Sequence, residues 1–248
     1  MRVLILGGTQ EAFQLAERLA TIEGIEAISS LAGRTQAPRL PKGEVRTGGF
    51  GGAEGLARYL REERISHLVN ATHPFAKRIS ANAIEAARSA GVPTMRLLRP
   101  AWAAHRGDRW MAARHAAEAA ALCRHCGGRI FLTLGSRDLD AFADIHNAHF
   151  LVRTVDAPDR LPLQDYQMIA ARGPFTLQNE LRLLAEHHID LLVAKNSGGD
   201  ATYAKIEAAR RLGLTVIMIE RPPITFDPQS PTVANVADAV AWVSAQRA

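Results

Sequence analysis

Short apolar runs alternate with amphipathic stretches along most of the chain. Val3-Leu4-Ile5-Leu6 is a continuous apolar run closed by Gly7-Gly8, and behind it Ala12, Leu15, Ala16 and Leu19 recur at spacings of three and four. The run predicts a strand covered on both faces, and the spaced residues predict a helix laying one stripe on a sheet. Extended in the same way, the pattern predicts strand 2–7, helix 11–22, strand 25–31 and a short strand 44–47. The loop Gly48-Gly49-Phe50-Gly51-Gly52, helix 53–63, strand 66–72, helix 76–90 and strand 93–98 follow. A second series has strands near 129–134, 149–155, 166–172, 190–195 and 215–220, with helices near 114–123, 138–145, 176–187, 202–212 and 232–246. Alternating β and α elements with unbroken apolar strands predict an α/β fold: two Rossmann-like domains with parallel doubly wound sheets.

The chain also repeats itself. Ile84-Glu85-Ala86-Ala87-Arg88-Ser89-Ala90-Gly91 returns as Ile206-Glu207-Ala208-Ala209-Arg210-Arg211-Leu212-Gly213, and both copies run on to an Arg-Pro pair, Arg99-Pro100 and Arg221-Pro222. The offset is constant, since 206 − 84 and 222 − 100 both give 122. In that register Leu68-Val69-Asn70-Ala71-Thr72-His73 lies over Asp190-Leu191-Leu192-Val193-Ala194-Lys195, two strands ending in a polar group at one topological point. Leu6-Gly7 echoes Leu134-Gly135, and Gly48-Gly49-Phe50 echoes Gly173-Pro174-Phe175. Two similar halves are expected to face each other across a ligand cleft, because open parallel sheets bind outside the carboxyl ends of their strands. The expected division is a cofactor-binding domain over 1–100, a crossing over 101–112 and a substrate-binding domain over 113–248, a size at which single cores tend to split.

A formal charge of +5 points to an anionic partner, but only 6% of residues are aromatic and none alternates with Arg or Lys as a base-stacking platform requires. Nucleic acid is therefore excluded in favour of a small acidic ligand. No apolar run approaches the roughly 20 residues that span a bilayer. The first run is too short, and too soon broken by glycine, for a signal peptide, so a cytoplasmic protein is expected. Cys123 and Cys126 sit at redox or zinc spacing, yet no second Cys or His pair stands at finger spacing and the pair closes an Ala-rich helix. They are read as ordinary thiols, and no metal is expected.

Five loops carry the candidate chemistry. Leu6-Gly7-Gly8-Thr9-Gln10-Glu11-Ala12 joins a strand to a helix, the arrangement that aims N–H groups and a helix dipole at phosphate. Against G-x-G-x-x-G/A it supplies Gly7, Thr9 and Ala12. With the middle glycine missing, the stretch is either such a cradle, with the Thr9 hydroxyl replacing close backbone approach, or a tight turn. After the second strand, Ser29-Ser30-Leu31-Ala32-Gly33-Arg34-Thr35 offers no carboxylate for a ribose hydroxyl, and Arg34 suits a 2′-phosphate. NADPH is thus preferred to NADH, with a solvated surface arginine as the alternative. Asn70-Ala71-Thr72-His73-Pro74-Phe75-Ala76 leaves a strand at the same edge, where His73 is a general acid, a ligand contact or a capping group. In the second half Leu134-Gly135-Ser136-Arg137 and Lys195-Asn196-Ser197-Gly198-Gly199-Asp200-Ala201-Thr202 bring cations, hydroxyls and glycine turns to the opposite edge.

Together Ile5-Leu6-Gly7-Gly8-Thr9-x-Glu11-Ala12, Ala71-Thr72-His73-Pro74-Phe75-Ala76 and Lys195-Asn196-Ser197-Gly198-Gly199 resemble the precorrin-6A reductase family of cobalamin biosynthesis, in order, from residue 1 to about 222. The resemblance implies NADPH-dependent reduction of the C18=C19 bond of a tetrapyrrole polycarboxylate, precorrin-6A, to precorrin-6B. It gives the basic charge a reason. The family's anaerobic branch acts on the cobalt-containing analogue. On this reading Gly7, Gly8, Thr9, Gly33, Arg34, Thr72 and His73 serve the cofactor. Ser136, Arg137, Lys195, Ser197, Gly198, Gly199 and Thr202 serve the substrate, and His73, Lys195, Tyr203 or water supplies the proton. The rivals are a nonenzymatic dinucleotide sensor and a group-transfer enzyme using a nucleotide sugar.

Overall fold

The computed structural model describes residues 1–33, 39–156, 158, 160–223 and 227–246 and contains two six-stranded sheets in which every neighbouring pair is parallel. The chain forms two units, residues 1–100 with 222–248, and residues 101–221. The first holds β1 (Arg2–Leu6), β2 (Glu26–Leu31), β3 (Glu44–Thr47), β4 (His67–Asn70) and β5 (Thr94–Leu97). The second holds β6 (Arg109–Ala113), β7 (Gly128–Thr133), β8 (Ala148–Thr154), β9 (Tyr166–Ala170), β10 (Leu191–Lys195) and β11 (Thr215–Ile219). The last strand, β12 (Thr232–Val233), returns to the first sheet.

The sheet orders are β12-β5-β4-β1-β2-β3 and β6-β11-β10-β7-β8-β9. Every strand of the second stands where its counterpart six places earlier stands in the first, except at one edge. There the chain supplies β6 to the second sheet right after β5, and β12 to the first sheet after β11. The repeated Arg-Pro pairs stand at these two crossings, between Pro100 and Ala101 and between Arg221 and Pro222. Two expectations are corrected. Residues 109–112 of the supposed crossing belong, with Ala113, to an edge strand of the second sheet, and the segment from 222 onward belongs to the first unit, not to a domain running to 248. Backbone pairing decides both, because each edge strand completes its hydrogen bonds on a sheet distant in sequence.

The first sheet is covered on both faces, as its unbroken apolar strands require. Val3, Ile5, Val69 and Met95 pack toward α1 (Gln10–Leu19) and α7 (Val236–Ala245). Leu4, Leu6, Ile28 and Leu68 pack toward α2 (Ala53–Glu62) and α3 (Lys77–Ala90). Each such side chain contributes about 1.5–3 kcal/mol on full burial, so a one-residue slip of β1 is strongly disfavoured. In the second unit Phe131, Leu151, Leu192 and Met218 meet Leu184 of α5 (Leu177–Glu186) and Ile206 of α6 (Ala204–Arg211). The duplicated helices end alike, on Gly91 and Gly213, each left-handed at φ 66°. The helix expected over 138–145 is a 3₁₀ segment, Ser136–Phe142.

At the end of β8 a buried ion pair takes the place of apolar packing. Arg153 grips Glu180 of α5 through Nη1–Oε1 (2.5 Å) and Nη2–Oε2 (3.0 Å), with side chains 6% and 2% exposed. The guanidinium also lies 3.8 Å over the Phe175 ring, which fixes the loop Gly173-Pro174-Phe175.

Both cysteines are free. Cys123 is buried in α4 (Ala116–Cys126), where burial pushes its thiol up to about 12, and Cys126 is exposed at the helix end. A thiol held that far above neutral has almost no thiolate at pH 8. One thiol per chain should therefore react with a disulfide reagent in the native protein and two after denaturation. Two fast native reactions would contradict the burial of Cys123.

Candidate functional site

The first edge is built where the loops after β1, β4 and β5 meet. β1 runs through Gly7 and Gly8 into Thr9, which caps α1 by accepting the Ala12 N–H at Oγ1 (3.1 Å). The same hydroxyl donates to the Ala71 carbonyl at 2.8 Å, tying this loop to the one after β4. The Thr9 hydroxyl is thus committed within the protein, and its expected bond to phosphate is replaced by a structural one. Gly8 is the residue that needs glycine, at φ 104°, and a Cβ there would meet nothing within 4 Å. Gly7 packs closely instead, its virtual Cβ 3.4 Å from Leu31 Cδ2 and 3.6 Å from Ala12 Cβ. The open face above Gly8, at a helix N-terminus, fits a dinucleotide's pyrophosphate. Glu11 in the first turn of α1 would repel such an anion, but its carboxylate is engaged by Arg99 from beyond β5. A small pocket between these loops is lined by Thr9, Glu11, Thr72, Pro74 and Arg99.

The loop after β4 is organised by Asn70, whose role was not anticipated. Its buried Oδ1 accepts the Thr72 hydroxyl (2.8 Å) and the Thr72 N–H (3.3 Å), and Thr72 Oγ1 lies 3.3 Å from Ser80 Oγ. His73 accepts the Phe75 N–H at Nδ1 (3.3 Å), and its carbonyl accepts the Ala76 N–H (2.8 Å). Of its three expected roles, the geometry displays turn capping. Gly33, at φ 69°, ends 3.0 Å from Thr47 Cγ2 if given a Cβ; Arg34 lies outside the described residues.

The second unit gathers its residues at the ends of β7 and β10. Lys195 closes β10, and its Nζ is ion-paired with Asp138 of the 3₁₀ segment, a partner the sequence reading missed. Ser136 and Arg137 of that segment are exposed, while Ser197 turns back on Lys195, its N–H 2.7 Å from that residue's carbonyl. Gly198 and Gly199 follow at φ 67° and 74°. A clamp from outside the motif holds this turn. Trp102 donates its N–H to Asn196 Oδ1 (2.7 Å), accepts from Asn196 Nδ2 (2.9 Å), and donates Nε1–H to the Gly199 carbonyl (2.9 Å). Arg221 adds Nε–H to the Asn196 carbonyl and Nη2–H to the Ser197 carbonyl, both at 2.9 Å. The Thr202 carbonyl accepts from buried Lys205, and the Tyr203 hydroxyl accepts from Arg210 at 2.6 Å. Trp102 and Arg221 are far from the motif in sequence, so only a tertiary contact reveals them. Among the described residues no group of three or more His, Cys, Asp or Glu is placed to hold a metal.

Fold and edges together define a class, an α/β protein of two Rossmann-like units that present glycine turns at the carboxyl ends of parallel strands. The chain belongs to the precorrin-6x reductase family (CbiJ/CobK), which it matches over residues 2–244. It is 51% identical over 242 residues to a precorrin-6A reductase of Rhodococcus erythropolis, covering 98% of this chain and 97% of that one. A cobalt-precorrin-6A reductase of Priestia megaterium is 30% identical over 250 residues, covering 96% and 97%. The solved structure of CobK precorrin-6A reductase superposes with a TM-score of 0.94 at 42% identity, over 100% of this chain and 98% of that one. The protein is accordingly a reductase, which disfavours the sensor and group-transfer readings.

Proposed function

We propose that the protein reduces the C18=C19 bond of precorrin-6A to give precorrin-6B in cobalamin biosynthesis, with NADPH as the reductant. The likeness to precorrin-6A reductases along the whole chain carries this reading. NADPH, when bound, supplies a hydride. Gly8 and the α1 N-terminus offer the pyrophosphate close approach without an opposing charge, since Arg99 neutralises Glu11. Gly7, Thr9, Gly33 and Thr72 shape that edge, Arg34 is the candidate that the sequence offers for the 2′-phosphate, and His73 is assigned to the cofactor near the nicotinamide. The macrocycle's carboxylates meet Ser136, Arg137, Lys195, Ser197, Gly198, Gly199 and Thr202. The proton that completes the reduction comes from water or from His73, Lys195 or Tyr203. The work of the chain is alignment of two carbons rather than acid chemistry. A cytoplasmic setting belongs to the same proposal. Among the described residues no helix is long and apolar enough to cross a membrane.

The metal-free substrate is favoured over its cobalt analogue because identity is 43–51% to relatives named precorrin-6A reductase and 26–30% to those named cobalt-precorrin-6A reductase. Anaerobic assays with both macrocycles and each nicotinamide test this. Oxidation of NADPH by precorrin-6A should be the fastest of the four combinations. A faster reaction with the cobalt form would overturn the substrate assignment, and NADPH binding without oxidation by either would restore the sensor. Lys195→Ala should weaken macrocycle binding by about 1–3 kcal/mol and leave NADPH affinity unchanged, as an ion pair acts only on the ligand that makes it. Equal binding of the macrocycle by wild type and variant would remove Lys195 from the site.

A further inference from the structure

Arg46 stands on β3 beside Ser30 of β2, at the sheet edge where doubly wound folds read the 2′ substituent of a bound adenosine ribose. Its guanidinium donates Nη1–H groups to Ser30 Oγ (2.7 Å) and the Gly48 carbonyl (3.1 Å), and an Nη2–H to the Gly49 carbonyl (3.2 Å). It lies 3.8 Å over the Phe50 ring and 5.1 Å from that of Tyr59. Each of these partners is neutral. Three other arginines of this unit hold carboxylates, Arg2 with Glu26, Glu44 and Glu63, Arg88 with Asp227, and Arg99 with Glu11, whereas the pKa of Arg96 on β5 is, like that of Arg46, lowered by burial, and what sets Arg46 apart is its place at the β2–β3 edge. Among the described residues no carboxylate pairs with Arg46. Burial lowers its pKa, and only the Tyr59 phenol opposes that shift. A half-buried cation left without a counter-charge is costly, and the cost is recovered when an anion arrives.

The ground beside it is open. A Cβ at Gly48, Gly49, Gly51 or Gly52 would meet nothing within 4 Å. The loop then enters α2 with Gly52 as a cap that brings no side-chain hydrogen bond, so the positive end of that helix faces the same loop. Three of the five guanidinium N–H groups are used by the bonds above, leaving two for a ligand. We propose that Arg46 is the specificity-determining cation that distinguishes a phosphate from a hydroxyl at the 2′ position of the cofactor's ribose. This rests on the NADPH reading and adds a residue to it. By holding the Gly48 and Gly49 carbonyls, the same side chain also keeps the loop in shape to receive that group.

Calorimetric binding of 2′,5′-adenosine diphosphate and of 5′-AMP to the full chain separates these two roles. Wild type should prefer the diphosphate by about ten-fold or more, the scale of one charge-assisted contact. Arg46→Gln should bring the ratio to within about two-fold of unity while 5′-AMP affinity stays within about two-fold of wild type, and Arg46→Lys should keep an intermediate preference. An unchanged ratio in both variants would overturn the inference. So would an equal loss of both ligands, which would make Arg46 a loop staple only. If Arg34→Ala erases the preference and Arg46→Gln does not, the cation is Arg34. A wild-type ratio near unity would sink the NADPH reading itself, an outcome distinct from failure of Arg46.

Discussion

Gly8→Val is expected to lower NADPH affinity by at least about 100-fold, roughly 2.7 kcal/mol, while the protein stays folded. The backbone at Gly8 has φ 104°, a conformation a β-branched residue adopts only at a strain of about 1–3 kcal/mol. A Cβ would strike no protein atom within 4 Å, so the side chain points into the space assigned to the pyrophosphate. Gly7→Ala is the control, since its Cβ would sit at ordinary contact distances of 3.4–3.6 Å and its backbone is not in the left-handed region. NADPH titration followed by a thermal melt of each variant checks both halves. Retention of affinity within about three-fold in folded Gly8→Val would show the turn to be structural only.

Glu180→Ala should destabilise the second unit by about 3–5 kcal/mol, because it strands the Arg153 charge in the interior. The pair is bidentate, and Glu180 itself is only 1% exposed, so little water reaches the abandoned guanidinium. The Phe175 loop loses its anchor in the same step. Replacing both partners by apolar residues, Arg153→Met with Glu180→Leu, should recover most of the loss, since no unpaired charge remains. Urea unfolding of the three proteins measures this. A loss below about 1 kcal/mol for Glu180→Ala would mean that the pair contributes no more than a surface ion pair.

Local pattern carried the elements whose two faces are both buried. β1, β2, β4 and α1 lie within two or three residues of their expected ends because an apolar run or a 3.6-residue stripe defines them without reference to the rest of the chain. The edges were not readable in that way. β6 has the apolar residues Trp110-Met111-Ala112-Ala113 but no β-branched one, and leaves Arg109, Met111 and Ala112 exposed, while β12 is two residues long. Which sheet each joins is a long-range choice that the repeat itself obscures, since a plain duplication would place both at the end of their own halves. The chemistry divides similarly. The glycine turns and the polar strand ends at His73 and Lys195 could be placed on the carboxyl edges from periodicity alone. The partners that set their state lie far along the chain: Asp138 is 57 residues from Lys195, Ala71 is 62 from Thr9, and Trp102 is 94 from Asn196. Arg46 escaped notice because a strand arginine is ordinary in sequence and distinctive only once it is placed at the β2–β3 edge without a carboxylate partner.

Transfer of isotope from the reductant to the macrocycle tests the central claim most directly. NADPH stereospecifically deuterated on either face of the nicotinamide C4, incubated anaerobically with the enzyme and precorrin-6A, should deliver one deuterium per NADPH oxidised to the reduced C18–C19 bond from one of the two labelled forms only. Oxidation of both labelled forms without deuterium in the tetrapyrrole, or its appearance elsewhere in the ring, would contradict the account.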